Sequence, residues 1–349
     1  MWYGSYMKPG REYIPEVGSV SETRLLSPEQ EHSKNLADGV ERYTEFIDSF
    51  RPTVHRDGFG TDITYRKRVA EQLGASSEER LRSFPDGTKQ LKKNTQVFFD
   101  SNAIVRSKIL QENRDAGRVP DEDFFSSLYN TVQFQQEMSR LILQHRFVPT
   151  IDTSMQKFWG VFEKASSPII SDPNFAREQQ HGIEHAVTAS HLLETRGWRI
   201  HKPRVKSDIQ EGIDGFATGT TLEGKEIILA LQFKSTPATA PPLVDVKVLY
   251  PFPNQADIEE DAWNLVESVK KYRLKNPNLP LFPVIMRIPP AEKTPHIRRG
   301  TGLLASLGAA DALLDETGKK ALEYAETLVD VKIEKQKPKK KVIYVPQGK

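Results

Sequence analysis

The chain has 349 residues, enough for two domains that each bury a core of their own. Hydrophobic residues make up 37% and charged residues 28%, and a net charge of only +2 excludes nucleic-acid binding by overall basicity, so phosphate would have to be held by local patches. There is no cysteine, which excludes disulfide frameworks, thiolate zinc sites and cysteine nucleophiles, and no apolar run approaches the roughly 18 residues of a membrane span.

In chain order, residues 1–8 carry neither a basic region nor an apolar core, so no cleavable leader is expected. A cytoplasmic protein, or one delivered into a target cell, is the expectation, with no membrane partner. Residues 1–25 scatter Gly, Pro and Tyr without a period and read as an irregular arm. Ser27-Pro28-Glu29-Gln30 then supplies an N-cap, a Pro at the first helical position and a Gln to close a capping box. Leu36, Val40, Tyr43, Phe46 and Ile47 recur at helical spacing behind it. Further helices are predicted over 63–73, 89–112 and 121–144, with Asp86-Gly87 and Arg118-Val119-Pro120 as breaks. Residues 26–165 therefore read as an all-helical accessory domain. Ala70-Glu71-Gln72-Leu73-Gly74 has helix-turn-helix spacing, but Arg80 stands where an apolar residue is needed, and Gly74 as a helix stop explains the segment as well.

The pattern changes after Pro168. A helix over 178–196 ends at Gly197, and strands are predicted over 213–217, 226–235, 244–250 and 281–288, with a helix over 257–274 between the last two. That order implies an α/β domain over 166–334, a mixed sheet flanked by helices. A terminal helical pair is predicted over 303–329, then a basic tail over 335–349 whose Lys335–Lys341 cluster reads as a solvated segment or a phosphate contact.

The chemistry is concentrated in Glu211-Gly212-Ile213-Asp214-Gly215-Phe216 and in Ile227-Ile228-Leu229-Ala230-Leu231-Gln232-Phe233-Lys234-Ser235. Period-two alternation puts Leu229, Leu231 and Phe233 on one face of the second strand and Gln232 and Lys234 on the other. An odd, three-residue hairpin loop centred on Glu223, with Gly224 at positive φ, or a bulge near Gly219, would oppose Asp214 to Gln232; a two-residue Glu223-Gly224 turn would oppose it to Phe233. With the odd loop a carboxylate, an amide oxygen and an ammonium converge, which suits a hard cation beside a group that steadies phosphate charge.

These two segments resemble the PD-(D/E)xK nuclease superfamily, most closely its Mrr-like restriction endonuclease branch, in which Gln replaces the commoner Glu. Gly182-Ile183-Glu184-His185 opening a helix, and Leu192 to Ile200 with its helix, glycine and strand progression, extend the resemblance over roughly residues 175–290. It implies a restriction-endonuclease-like fold. It implies Asp214 as principal metal ligand, the Gln232 side chain and Phe233 carbonyl as further oxygen ligands, Glu184 as an auxiliary ligand, and Lys234 as the group that orients water and stabilises charge. The implied cofactor is Mg²⁺ or Mn²⁺. The implied activity is hydrolysis of DNA phosphodiester bonds, DNA being favoured over RNA, in restriction, defence or a toxin role. A homodimer or an inhibitor protein is compatible as partner. Arg199, Lys202, Arg204 and Lys206 are the candidate phosphate contacts. Two other readings stand beside this one: a catalytically silent nucleic-acid-binding or interaction protein on the same fold, and a zinc protease built on His181-Gly182-Ile183-Glu184-His185. Glu184 alone could also be an ordinary acid in a helix's first turn, on a solvated stripe with Thr188, His191 and Thr195.

Overall fold

A computed structural model describes residues 27–54, 62–85, 87–115, 121–205, 208, 211–220, 224–237, 239–306 and 308–328. The predicted arm, Lys206, Glu223 and the basic tail lie outside the described residues.

Five helices come first: α1 (Pro28–Ser49), α2 (Asp62–Ser83), α3 (Lys89–Asp115), α4 (Asp121–Gln144) and α5 (Ile151–Ser166). The capping box at α1 forms as its residue types require. The Ser27 hydroxyl accepts from the Gln30 N–H at 3.2 Å, and the Gln30 side chain accepts from the Ser27 N–H at 3.0 Å. Leu36, Val40, Tyr43, Phe46 and Ile47 are all buried in the helical core. Helix α2 departs from expectation. It runs unbroken through Gly74, and the buried Ser77 hydroxyl donates back to the Leu73 carbonyl at 2.6 Å. The helix-turn-helix reading is thereby corrected: Leu73 and Ser77 are needed inside the packing against α3, so the chain does not stop at the glycine. No element is predicted over 151–166, yet Ile151, Met155, Phe158, Trp159 and Phe162 form a buried helical stripe in α5.

Helix α6 (Phe175–Thr195) joins the two halves: Phe175, Ile183 and Val187 pack into the helical core, while Ala189, Leu192 and Leu193 pack under the sheet. The sheet follows as β1 (Arg199–His201), β2 (Gly215–Thr220), β3 (Glu226–Ser235), β4 (Asp245–Val248) and β5 (Leu281–Ile288), with α7 (Glu260–Lys275) between the last two. Its order is β1-β2-β3-β5-β4, antiparallel except for the β3–β5 pair. The predicted terminal pair is shorter than expected: α8 (Ala309–Leu313) and α9 (Glu316–Thr327), after a tight turn around Arg298 to Leu304. The molecule is thus mixed α/β, with six helices preceding a five-stranded mixed sheet among the described residues.

Alternation along β3 separates two cores. Leu229 and Leu231 pack with α6, α8 and α9, whereas Ala230 packs with Leu265, Val266 and Val269 of α7. Arg273, one of a basic group on α7, is fully buried, its guanidinium 5.1 Å from the Phe282 ring centroid and 5.7 Å from that of Tyr250. It belongs to the core and offers nothing to a phosphate backbone.

Candidate functional site

The β2–β3 hairpin decides where the chemistry sits. Gly215 pairs with Leu231 and Thr220 with Glu226, and the ladder stops there, one pair short of Asp214 and Gln232. Gly224 has φ +78°, the left-handed conformation expected of it in an odd loop.

Asp214 does not extend the ladder with its backbone alone. Its N–H donates to the Leu231 carbonyl at 2.8 Å, and its carboxylate accepts the Phe233 N–H at 2.6 Å. The side chain thus satisfies a donor that the strand end leaves open, and this turns the carboxylate toward the Phe233 side of the hairpin. There it lines a cavity of about 170 Å³ with Phe233, Lys202 and Asp208; α6 contributes Gly182, His185 and Ala186, and α4 contributes Gln135, Gln136 and Ser139. Gln232, Lys234 and Glu184 are not among the lining residues.

Charge in this cavity is closely balanced. Burial and the nearby Asp208 push the Asp214 carboxyl up to about 7, against the pull of the Phe233 N–H, of Lys202 and then of Lys234. Asp208 is raised by burial, opposed by a hydrogen bond from the Gln136 amide at 2.9 Å and by the Lys202 charge. Burial lowers Lys202, and Asp214 and Asp208 draw it back up. His185 is driven down to about 4 by burial and by the charge of His181, so it stays neutral; its Nδ1 lies 3.4 Å from the Ser235 hydroxyl. Its buried Nε2 has no hydrogen-bond partner among the described residues.

Glu184 is brought to a different place. It is 2% exposed, and its Oε1 accepts the Gly300 N–H at 2.6 Å and a Gln180 amide N–H at 2.8 Å. Thr188, one turn on, donates to the Gly302 carbonyl at 2.7 Å, and His191 Nδ1 accepts the Leu304 N–H at 3.2 Å. The stripe that could have been solvated is the seat of the Arg298–Leu304 turn. Arg298 and Thr301 also bind Asp152, and the Trp159 indole donates to the Gly300 carbonyl at 2.9 Å. The three polar side chains of the zinc-protease motif diverge accordingly: His181 pairs with Glu292 at 3.1 Å, Glu184 faces Gly300 and His185 faces Ser235.

Gln232 is buried, its amide nitrogen packed near Gly212, where φ of +63° lets the chain pass without a Cβ. Its Oε1 has no hydrogen-bond partner among the described residues. Among the candidate phosphate contacts, Arg199 and Arg204 are exposed, whereas Lys202 is drawn into the cavity. Sequence reasoning therefore misjudged the setting of Lys202 and missed Asp208, Gln136 and the α4 wall. The acid at Asp208 between the first two strands was a visible signal, but its distance from Asp214 could not be read from spacing.

For a cation, the donor types fit better than the count. The Asp214 carboxylate and the orphaned Gln232 oxygen are hard oxygen donors, but only Asp214 lines the cavity. Among the described residues, however, no group of three or more His, Cys, Asp or Glu is placed to hold a metal ion. No described helix is long and apolar enough to cross a membrane.

Buried histidines make a prediction away from the cavity. His145 is 2% exposed and burial lowers it, so it is neutral in the fold, while in the unfolded chain it takes a proton below about 6.5. Its contribution to stability is therefore lost as pH falls below that value, by no more than about 1.4 kcal/mol per unit. The raised carboxyls of Asp100, Asp208, Asp214 and Glu184 act in the opposite sense. The difference between wild type and His145→Gln isolates the histidine. Denaturation midpoints at pH 7.5 and 5 should fall more for wild type than for the variant, and parallel falls would mean that His145 is charged in the fold.

Comparison with family models, with curated proteins and with solved structures yields no match for this chain.

Proposed function

We propose that the chain is a metal-dependent phosphodiesterase acting on nucleic acid, DNA in preference to RNA, with the fold of the PD-(D/E)xK nucleases that the sequence resembles. The observation that carries this reading is the end of the β2–β3 hairpin, where the Asp214 carboxylate stands in a cavity that also holds an ammonium group. The element order adds support, since helix, strand, hairpin, a further strand, helix and strand follow one another from α6 to β5. The Asp214 carboxylate would hold Mg²⁺ or Mn²⁺ in this cavity, and the bound ion would supply Lewis-acid stabilisation of phosphate charge. The chain's own part is to aim these oxygens, to exclude water with the α4 and α6 walls, and to set positive charge beside the reacting phosphate.

Purified protein should nick plasmid DNA with Mg²⁺ or Mn²⁺ and stop with EDTA. Gln232→Glu should retain cleavage within about tenfold, because Gln232 does not line the cavity that holds Asp214. Binding of DNA without cleavage would instead favour an interaction protein on this fold. One observation speaks for that second reading: neither Lys234 nor Glu184 lines the Asp214 cavity.

A further inference from the structure

We propose that Lys202 is the catalytic cation of the Asp214 cavity, in place of the Lys234 that the sequence motif would nominate. The inference rests on the phosphodiesterase reading and deepens it.

Strand alternation is the starting point. Phe233 lines the cavity, so its neighbours Gln232 and Lys234 belong to the other face of β3, the face on which Ala230 packs against α7. Asp214 is fastened to the Phe233 N–H and turns with it. The motif's carboxylate and its lysine are therefore directed apart, although they are close in the hairpin.

Lys202 supplies the missing charge. It follows β1 directly, before the buried Pro203, and lines the cavity with Asp208 and Asp214. Its Nζ lies 5.9 Å from the centroid of the Phe233 ring, the residue whose N–H anchors Asp214. No ion pair within 4.0 Å joins Lys202 to either carboxylate among the described residues, although all three line the one cavity and their charges act on one another. A withdrawn ammonium is costly unless something of opposite charge meets it. The cavity is about the size of a phosphate group with its waters, and the buried His185 Nε2 is a further polar atom there without a partner.

In the hydrolysis, the oxygen of a water bonds to phosphorus as the bond from phosphorus to the leaving sugar oxygen breaks. The water gives up one proton to solvent and the leaving oxygen takes one up, with no change of oxidation state. Negative charge gathers meanwhile on the non-bridging oxygens, and the Lys202 ammonium donates hydrogen bonds to them.

Wild type, Lys202→Met and Lys234→Met should be compared on plasmid DNA with Mg²⁺, alongside thermal melting and DNA binding in Ca²⁺. Lys202→Met should lose at least about 100-fold in cleavage with binding retained, and Lys234→Met less than about tenfold. A chemical version guards against misfolding. The chain has no cysteine, so Lys202→Cys carries a single thiol. Alkylated unfolded with 2-bromoethylamine and refolded, it regains an ammonium of lysine's reach; alkylated with iodoacetamide, it stays neutral. The aminoethyl form should cleave at least about tenfold faster than the neutral form. Equal rates for these two forms, or a wild-type rate for Lys202→Met, would overturn the role of Lys202. Failure of the wild-type protein to cleave any nucleic acid is distinguished at once, and removes the phosphodiesterase reading itself.

Discussion

Asp214→Asn is expected to lower metal-dependent cleavage by about a thousandfold while raising stability at pH 8. Asparagine keeps an oxygen for the Phe233 N–H, so the hairpin end and its hydrogen bond survive the change. What disappears is the charge. In the fold this carboxyl ionises only at about 7, against roughly 3.9 for an exposed aspartate. With the folded value raised, the native state holds its proton more tightly than the unfolded state does. The stabilising contribution is present at low pH and is lost as pH rises through 7, so at pH 8 the native state bears the cost of a charged, half-buried group. Neutralising it removes that cost. Opposite changes in activity and stability are the mark of a group kept for chemistry, since structural groups lose both together. Plasmid nicking and urea midpoints on the same preparations test the pair. Unchanged cleavage by Asp214→Asn would end the proposed mechanism.

Gly302→Ala should destabilise the protein by about 3 kcal/mol or more, the largest effect expected of a single added methyl group here. A Cβ at Gly302 would stand 2.3 Å from the Glu184 carbonyl oxygen and 2.6 Å from its Cα, inside the α6 backbone, where φ is also +73°. Neither side can yield cheaply, because Thr188 and Glu184 are both bonded to this turn. Gly197→Ala is the control. Its φ is +87°, but nothing lies within 4 Å of the added Cβ, so it should cost only the left-handed penalty of about 1–2 kcal/mol. Equilibrium denaturation of the two variants separates the clash from the handedness. Equal losses would mean that the turn moves freely over α6. The result also bears on Glu184, whose carboxylate is held by Gly300 at the same place.

Much of the local architecture is legible in the residues. The Ser27–Gln30 box starts its helix, the apolar alternation of 226–235 makes a strand with two distinct faces, and the hairpin brings Gly215 opposite Leu231. Periods of 3.6 and 2, and the conformational freedom of glycine, act over a few residues, so a sequence states them directly. The helix over 151–166 was equally legible from its apolar stripe. What surrounds the site was not. The bond from Gly300 to Glu184 spans 116 positions, and that from Gln136 to Asp208 spans 72. Neither is implied by any spacing, because each depends on how a helix and a distant loop come to rest in a shared core. The same holds for Lys202 and Asp214. The sequence by itself determined the strands, their faces and the hairpin that joins two of them. Only tertiary packing decided that the aspartate would turn to an open donor at Phe233, and which ammonium it would meet there, since the unsatisfied N–H at a strand end outweighs alternation.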